Sequence, residues 1–301
     1  MWIAQLKAAA EPLGWTIVVC DGAGVVTKME ACMSSLVTQK VSAIVTMALG
    51  GPEIPNGFKQ AAAANIPVMA EGTSVSPGYE KNYTGGIYAD DIVKSGAATA
   101  DYIFANLAST PVIGLEITQN YGGQGYIIGL KAQLEAKGSK FKDLRDVNLA
   151  DIVNSMTKTS EAIFQANPGK ATMIDFSDFG YSLWGPVLTR LNRASDVTTI
   201  TRFDNPSSVK AMKAGAPLLV SVDKEWQHIF DMLSAMLANF NGGTAWPANA
   251  DTVNNPGATV VGIKDFPAGS DRFYPFMPAL KTQIATWTQT YSLKPSTLTA
   301  P

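Results

Sequence analysis

Histidine occurs once in the 301 residues, as His228, and cysteine twice, as Cys20 and Cys32. Zinc and most transition-metal sites draw on several His and Cys ligands, and no CxxC pair is present, which argues against a metalloenzyme. A Ser-His-Asp triad would have to use His228, and no GxSxG elbow supports one. His228 falls in a helical pattern, where a hydrogen-bonded structural histidine is the expectation. Cys20 ends an apolar run and Cys32 lies mid-helix, so both are expected as buried free thiols rather than a disulfide. Charge is also scarce: 16% of residues are charged, against about 25% in ordinary globular chains. With 23 Lys and Arg against 25 Asp and Glu, the net charge is −2. That balance offers no basic footprint for nucleic acid or an anionic membrane surface. No apolar run approaches the roughly 18 residues of a membrane span; the longest, such as AIVTMAL, have the length of strands.

What is present is an alternation of β-rich apolar runs with amphipathic segments. Strands are expected at Trp15–Cys20, Ser42–Met47, Ile66–Ala70, Thr84–Ala89, Pro111–Thr118, Ala171–Phe176, Val197–Phe203, Pro217–Val222 and Thr259–Ile263, with a weak one near Val147. Helical patterns lie between them, the last around Ala279–Tyr291. The runs are continuous rather than alternating, as in parallel strands covered on both faces. The fold class is therefore α/β, doubly wound, and the βα units on either side of about Asp90 imply two such sheets.

Ligands of open parallel sheets bind beyond the carboxyl ends of the strands. Those positions read Asp21-Gly22-Ala23-Gly24, Ala48-Leu49-Gly50-Gly51, Glu71-Gly72-Thr73, Gln119-Asn120-Tyr121, Ser177-Asp178-Phe179, Asp204-Asn205 and Asp223. They are acidic, amide-bearing and aromatic, without Lys or Arg. Carboxylates accept hydroxyl hydrogen bonds and rings stack on C–H faces, so a small polyhydroxylated molecule fits and phosphates or sugar acids do not. Each acid taken alone also fits a helix N-cap or a turn. Two glycine clusters resemble nucleotide loops. The first lacks a third glycine, Thr27 standing in its place. The second, Gly123–Gly129, lacks an acidic partner on a following strand, and no GxxxxGK[ST] exists. No cofactor is expected.

The segments WTIVVCDGAG, SSLVTQKVSAIVTMALG and AAAANIPVMAEG, in that order and spacing, resemble the first domain of type I periplasmic sugar-binding proteins, the ribose- and galactose-binding group serving ABC importers. GIYADDIVKSGAATADYIFANL, PVIGLEI, GLKAQLEAKG, ATMIDFSDFGYSLWGPVLTRL and ITRFDNPSSVKAMKAG resemble its second domain, and together the likeness spans residues 14–240. It implies two doubly wound domains joined by a three-segment hinge near Ala89, Val222 and Asn255, one lobe of residues 1–89 plus 223–256 and the other of 90–222 plus 257–301. It also implies ligand positions at Glu71, Asp90, Asp91, Ser177, Asp178, Phe203, Asp204 and Asp223, with Gln227 one turn later. Gly72 stands where the family has a cation after the acid. Tyr126 stands at or near a ligand arginine, with Gln124 or Tyr121 as substitutes. The family begins with a central strand ahead of the first helix, whereas this chain starts at that helix, Trp2 standing near an aromatic ligand position. A central gap would leave buried ladder groups unpaired, so upstream residues and a secretory signal are expected in the native precursor.

The function expected from these readings is that of a monomeric solute-binding protein, periplasmic or lipid-anchored at the cell surface, with no catalysis. It would close its hinge on a neutral sugar or polyol and deliver it to the membrane permease of an ABC importer. A cationic solute is a second option. The alternative is a ligand-sensing effector domain of a repressor or receptor with the same fold. A nucleotide-dependent enzyme is a third class, disfavoured by the single histidine and the missing fingerprint.

Overall fold

Val68–Glu71 and Ala171–Asp175 are buried at every position, as strands covered on both faces must be. Around them, a computed structural model describes residues 2–47, 49–72, 75–177, 179–247 and 258–293. In chain order the elements are α1 (Trp2–Ala10), α2 (Val26–Thr38), β1 (Ile44–Met47), α3 (Pro55–Ala63), β2 (Val68–Glu71), β3 (Gly86–Tyr88), α4 (Ile92–Asn106), β4 (Val112–Glu116), α5 (Tyr121–Ala136) and β5 (Phe141–Asp146). Then follow α6 (Ile152–Ala166), β6 (Ala171–Asp175), α7 (Gly180–Arg190), β7 (Val197–Arg202), α8 (Pro206–Lys213), β8 (Leu218–Val222), α9 (Glu225–Gly242), β9 (Thr259–Val261) and α10 (Phe276–Tyr291). The chain divides into a first unit, Met1–Asp90, Lys224–Asn254 and Pro275–Pro301, and a second, Asp91–Asp223 and Asn255–Tyr274.

The first unit holds a parallel sheet of order β1-β2-β3, with Ile44 opposite Val68 and Ala70 opposite Ile87. Ile44, Val68 and Ala70 pack with Met33 of α2 and Phe58 and Ala61 of α3. Met69 and Tyr88 pack into the cluster of Leu6, Ile229, Phe230, Leu233, Leu280, Ile284 and Trp287. α10 therefore belongs to the first unit, not to the second lobe as its place late in the chain implied. Apolar packing against α1 and α9 decides this, and Trp287 Nε1 donates to Ser234 Oγ of α9 at 2.7 Å.

Trp15–Cys20 is not a strand. Trp15 and Ile17 lean on the α1–α9–α10 cluster, while Val18 and Val19 remain 47% and 44% exposed. Thr16–Cys20 makes no backbone–backbone hydrogen bond among the described residues, and β1 pairs on its β2 side alone. Strand propensity without a ladder partner does not make a strand. The thiol expectation fails for the same reason. Cys20 is exposed instead of sitting in a buried strand, and it forms a disulfide with half-buried Cys32 of α2 at a Cα separation of 5.6 Å.

The second unit holds a six-stranded sheet of order β5-β4-β6-β7-β8-β9, parallel except for the β8–β9 pair. The weak strand expected near Val147 is β5, ending at Asp146. From β4 the chain turns outward to β5 and then back across to β6. With right-handed crossovers that reversal sends α5 and α6 to opposite faces. α4 and α5 approach closely through two glycines. A Cβ at Gly96 would stand 2.0 Å from the Tyr126 carbonyl oxygen, and one at Gly129 would stand 1.9 Å from that of Val93.

Candidate functional site

The crevice of an open parallel sheet forms at the carboxyl ends where the strand order reverses. In the second unit that point lies between β4 and β6. After β4, Asn120 Oδ1 accepts from Gly123 N at 3.1 Å and caps α5. Tyr121 and Gln124 on its first turn are half-buried, and Tyr126 is buried. The Tyr126 hydroxyl donates to Thr99 Oγ1 of α4 at 2.9 Å, which in turn lies 2.9 Å from Ser221 Oγ of β8. Burial pushes the Tyr126 phenol above its ordinary pKa, more strongly than the hydrogen bonds to Thr99 and Ser221 lower it. The group stays a neutral O–H donor.

After β6, buried Asp175 fixes the loop. Its Oδ1 accepts from Ser177 N and Ser177 Oγ, each at 2.9 Å, and its Oδ2 from Trp184 Nε1 at 2.7 Å. Ser177 Oγ accepts from Gly180 N at 3.0 Å, and a Cβ on Gly180 would stand 1.8 Å from Asp175 Oδ2. Ser177 and Gly180 are thus tied to the end of β6. Asp178, expected beside Ser177, lies outside the described residues, as do Thr73 and the hinge position near Asn255.

At the end of β7, Phe203 N donates to Ser221 O at 2.8 Å while Phe203 adopts φ +61°, a region that bulky side chains seldom enter. The Arg202 guanidinium lies 4.0 Å from the Phe203 ring centroid and 6.0 Å from that of Tyr126. Asp204, also buried, pairs with Arg272 at 2.8 Å and accepts from Phe273 N. Burial raises its carboxyl pKa, with Arg272 and the Phe273 amide opposing. Asn205 caps α8 by accepting from Ser208 N at 2.9 Å. Asp223 is buried one residue beyond β8.

In the first unit Glu71 is the buried last residue of β2, in register with Met47 and Tyr88. Gly72, at φ +70°, donates its N–H to Tyr88 O at 2.9 Å, and a Cβ there would stand 3.2 Å from the Trp2 ring. The missing cation after Glu71 is therefore matched by a glycine turn under an indole. Burial takes the Tyr88 phenol to about 12. Buried Asp90 Oδ1 lies 2.7 Å from Nε2 of buried His228. Asp231, one turn further along α9, has its pKa raised by burial, with Gln227 Nε2, at 2.8 Å, and His228 opposing.

The expected residues thus fall into two strand-end groups. Tyr121, Gln124, Tyr126, Ser177, Phe203, Asp204 and Asp223 belong to the carboxyl edge of the second sheet, and Glu71 and Asp90 to that of the first. Asp91 accepts from Lys94 N at 3.0 Å, pairs with Lys94 Nζ at 3.1 Å and caps α4. The expectation of strand ends without cations is corrected. Arg202 and Arg272 both stand there, and the position that the resemblance gives to an arginine is held by Tyr126, whose ring faces a guanidinium supplied by β7. Arg202 was legible as the neighbour of Phe203-Asp204 but was counted as strand. Arg272, in a stretch of Gly, Pro and aromatics, carried no signal linking it to Asp204. A surface depression at Val41, Ser42, Asn65 and Ile66 lies instead at the amino-terminal edge of the first sheet and carries one lysine, Lys40, and no carboxylate.

No family model and no curated protein sequence matches the chain. Solved structures do. A Caulobacter myo-inositol binding protein bound to myo-inositol aligns with a TM-score of 0.75 at 13% identity, over 87% of this chain and 88% of its own. The periplasmic binding protein component of an arabinose ABC transporter from Shewanella, bound to L-arabinofuranose, aligns at 0.73 and 12%, over 97% and 92%. An ABC transporter periplasmic solute binding protein from Actinobacillus succinogenes with bound D-allose aligns at 0.69 and 15%, over 87% and 93%. The fold is that of the type I periplasmic sugar-binding proteins.

Proposed function

We propose that the chain is a solute-binding protein that captures a neutral sugar or polyol for the permease of an ABC importer, without catalysis. The observation that supports this reading is the carboxyl edge of the second unit's sheet, where Ser177, Phe203, Asp204 and Asp223 follow β6, β7 and β8, and Tyr121 and Gln124 stand on the first turn of the helix after β4. Hydroxyl-bearing side chains, a carboxylate already matched by Arg272 and aromatic rings suit a neutral molecule with many hydroxyls and C–H faces. The neighbours crystallised with allose, inositol and arabinofuranose support the same class. An analogue that leaves one of these buried groups without its partner loses about 1–3 kcal/mol.

Closure of the two units on the solute is part of the proposal, as are a monomeric state and a place in the periplasm or at the cell surface. The Cys20–Cys32 disulfide supports such an oxidising compartment. A tryptophan-fluorescence screen of pentoses, hexoses, inositols and linear polyols, followed by small-angle scattering with any hit, tests the reading. Saturable binding with a smaller radius of gyration is expected. Binding restricted to phosphorylated compounds or organic acids would overturn it.

A further inference from the structure

We infer that the Cys20–Cys32 disulfide is a redox latch: a dithiol reductant opens it in the folded protein, frees the loop ahead of α2 and weakens the hold on the solute. The last step rests on the sugar-binding reading above; the latch itself rests on the first unit alone. Cys20 is exposed and Cys32 on α2 is half-buried, and exposed disulfides are the labile, regulatory ones.

Little else holds the segment that the disulfide closes. Among the described residues, 16–24 take part in two hydrogen bonds, both inside the loop. Ala23 N donates to Asp21 Oδ1 at 2.7 Å and Val25 N to Gly22 O at 2.9 Å. Ile17 packs on the α1–α9–α10 cluster, but Val18, Val19, Val25 and Val26 are exposed, and α2 has no side-chain cap at its start. The loop also stands at an edge where ligands of parallel sheets bind. Glu30 of α2 accepts from Asn56 N at 2.9 Å and Gly57 N at 2.7 Å, on the first turn of α3. That turn follows β1, so α2 begins, and residues 21–24 lie, at the carboxyl edge of the first sheet, the edge of Glu71 and Asp90. The reductant's thiolate attacks the exposed Cys20 Sγ, forming a mixed disulfide and expelling the Cys32 thiolate. Its second thiol then displaces Cys20, so two electrons pass, the reductant leaves as a disulfide and both cysteine sulfurs take up protons.

The test treats the full, disulfide-bonded chain with dithiothreitol, the new thiols being alkylated and counted by mass spectrometry. A rate proportional to dithiothreitol and indifferent to low urea is expected. A rate that stays fixed as the reagent is raised, or that climbs with urea, would show that unfolding must come first and would overturn the inference. Hydrogen exchange of the reduced, alkylated chain should quicken in residues 16–26 and leave β1, β2 and β3 protected. Loss of protection across those strands would mark a staple of the fold instead of a latch, and would overturn it too. Calorimetric titration with the tightest sugar from the screen should give about tenfold weaker binding after reduction. Cys20→Ser with Cys32→Ser should match the reduced chain, which excludes an effect of the alkyl groups. If the oxidised chain binds no sugar or polyol, the sugar-binding reading falls and the control of solute with it. If it binds them and reduction leaves its affinity unchanged, this inference alone falls.

Discussion

The two units follow the same alternation of strand and helix but complete it to different degrees. In the second, β4 has neighbours on both sides and the sheet runs to six strands. Its edge strand β5 is pinned by Asp143, which pairs with Arg145 at 2.8 Å and accepts from Asn167 Nδ2 at 2.7 Å. In the first, three strands pair, β1 keeps one edge open among the described residues, and Trp15–Cys20 lies outside any ladder and ends in a disulfide. The difference separates two sources of order. Hydrogen-bonded pairing organises the second unit, while helix packing and a covalent link carry more of the first.

That contrast can be broken most forcefully through the glycines of the second unit. Gly129→Ala would place a methyl 1.9 Å from the Val93 carbonyl oxygen, a clash with backbone that cannot rotate away. A destabilisation of about 3 kcal/mol or more is expected, seen in calorimetric unfolding as a fall in the second unit's transition. A comparable fall from alanine at Gly138, where no atom lies within 4 Å, would show that the positive φ of a turn and not α4–α5 packing is limiting. Cys20→Ser with Cys32→Ser should act on the other unit. Opening a link between residues 12 apart costs about 3 kcal/mol, and the transition of the first unit should move while that of the second stays in place. The smallest effect is expected for Asp143→Asn, about 1–2 kcal/mol at neutral pH. The Arg145 hydrogen bond holds the Asp143 carboxyl below its ordinary pKa. Its contribution is therefore full above the usual carboxylate range and is lost as pH falls through the lower folded value. The gap between wild type and Asp143→Asn, followed by urea titration, should close on acidification; a gap that widened would contradict the pairing.

The α/β class was legible because strands such as Val68–Glu71 and Ala171–Asp175 are buried on both faces and read as unbroken apolar runs. Strand ends were legible for the same reason, which is why Ser177, Asp204 and Asp223 could be named at the right edge of a sheet. Pairing was not legible. Nothing in WTIVVC distinguishes a strand with a partner from one without, and the thiol state of Cys20 follows from that one fact. Contacts between distant segments were hidden too. The seat of α10 on α1 and α9, the turn of Asp204 toward Arg272 and the approach of His228 to Asp90 join stretches that no local pattern connects. Arg202 was passed over because the strand was drawn to Phe203, which put the arginine inside the strand instead of at its end.

The most direct measurement is isothermal titration of the intact, disulfide-bonded chain with a matched series: a neutral sugar, its uronic acid, its phosphate ester and its amino derivative. Saturable one-to-one binding of the neutral member and loss of binding for the charged ones are expected. Heat from the phosphate ester or the uronic acid alone would contradict it.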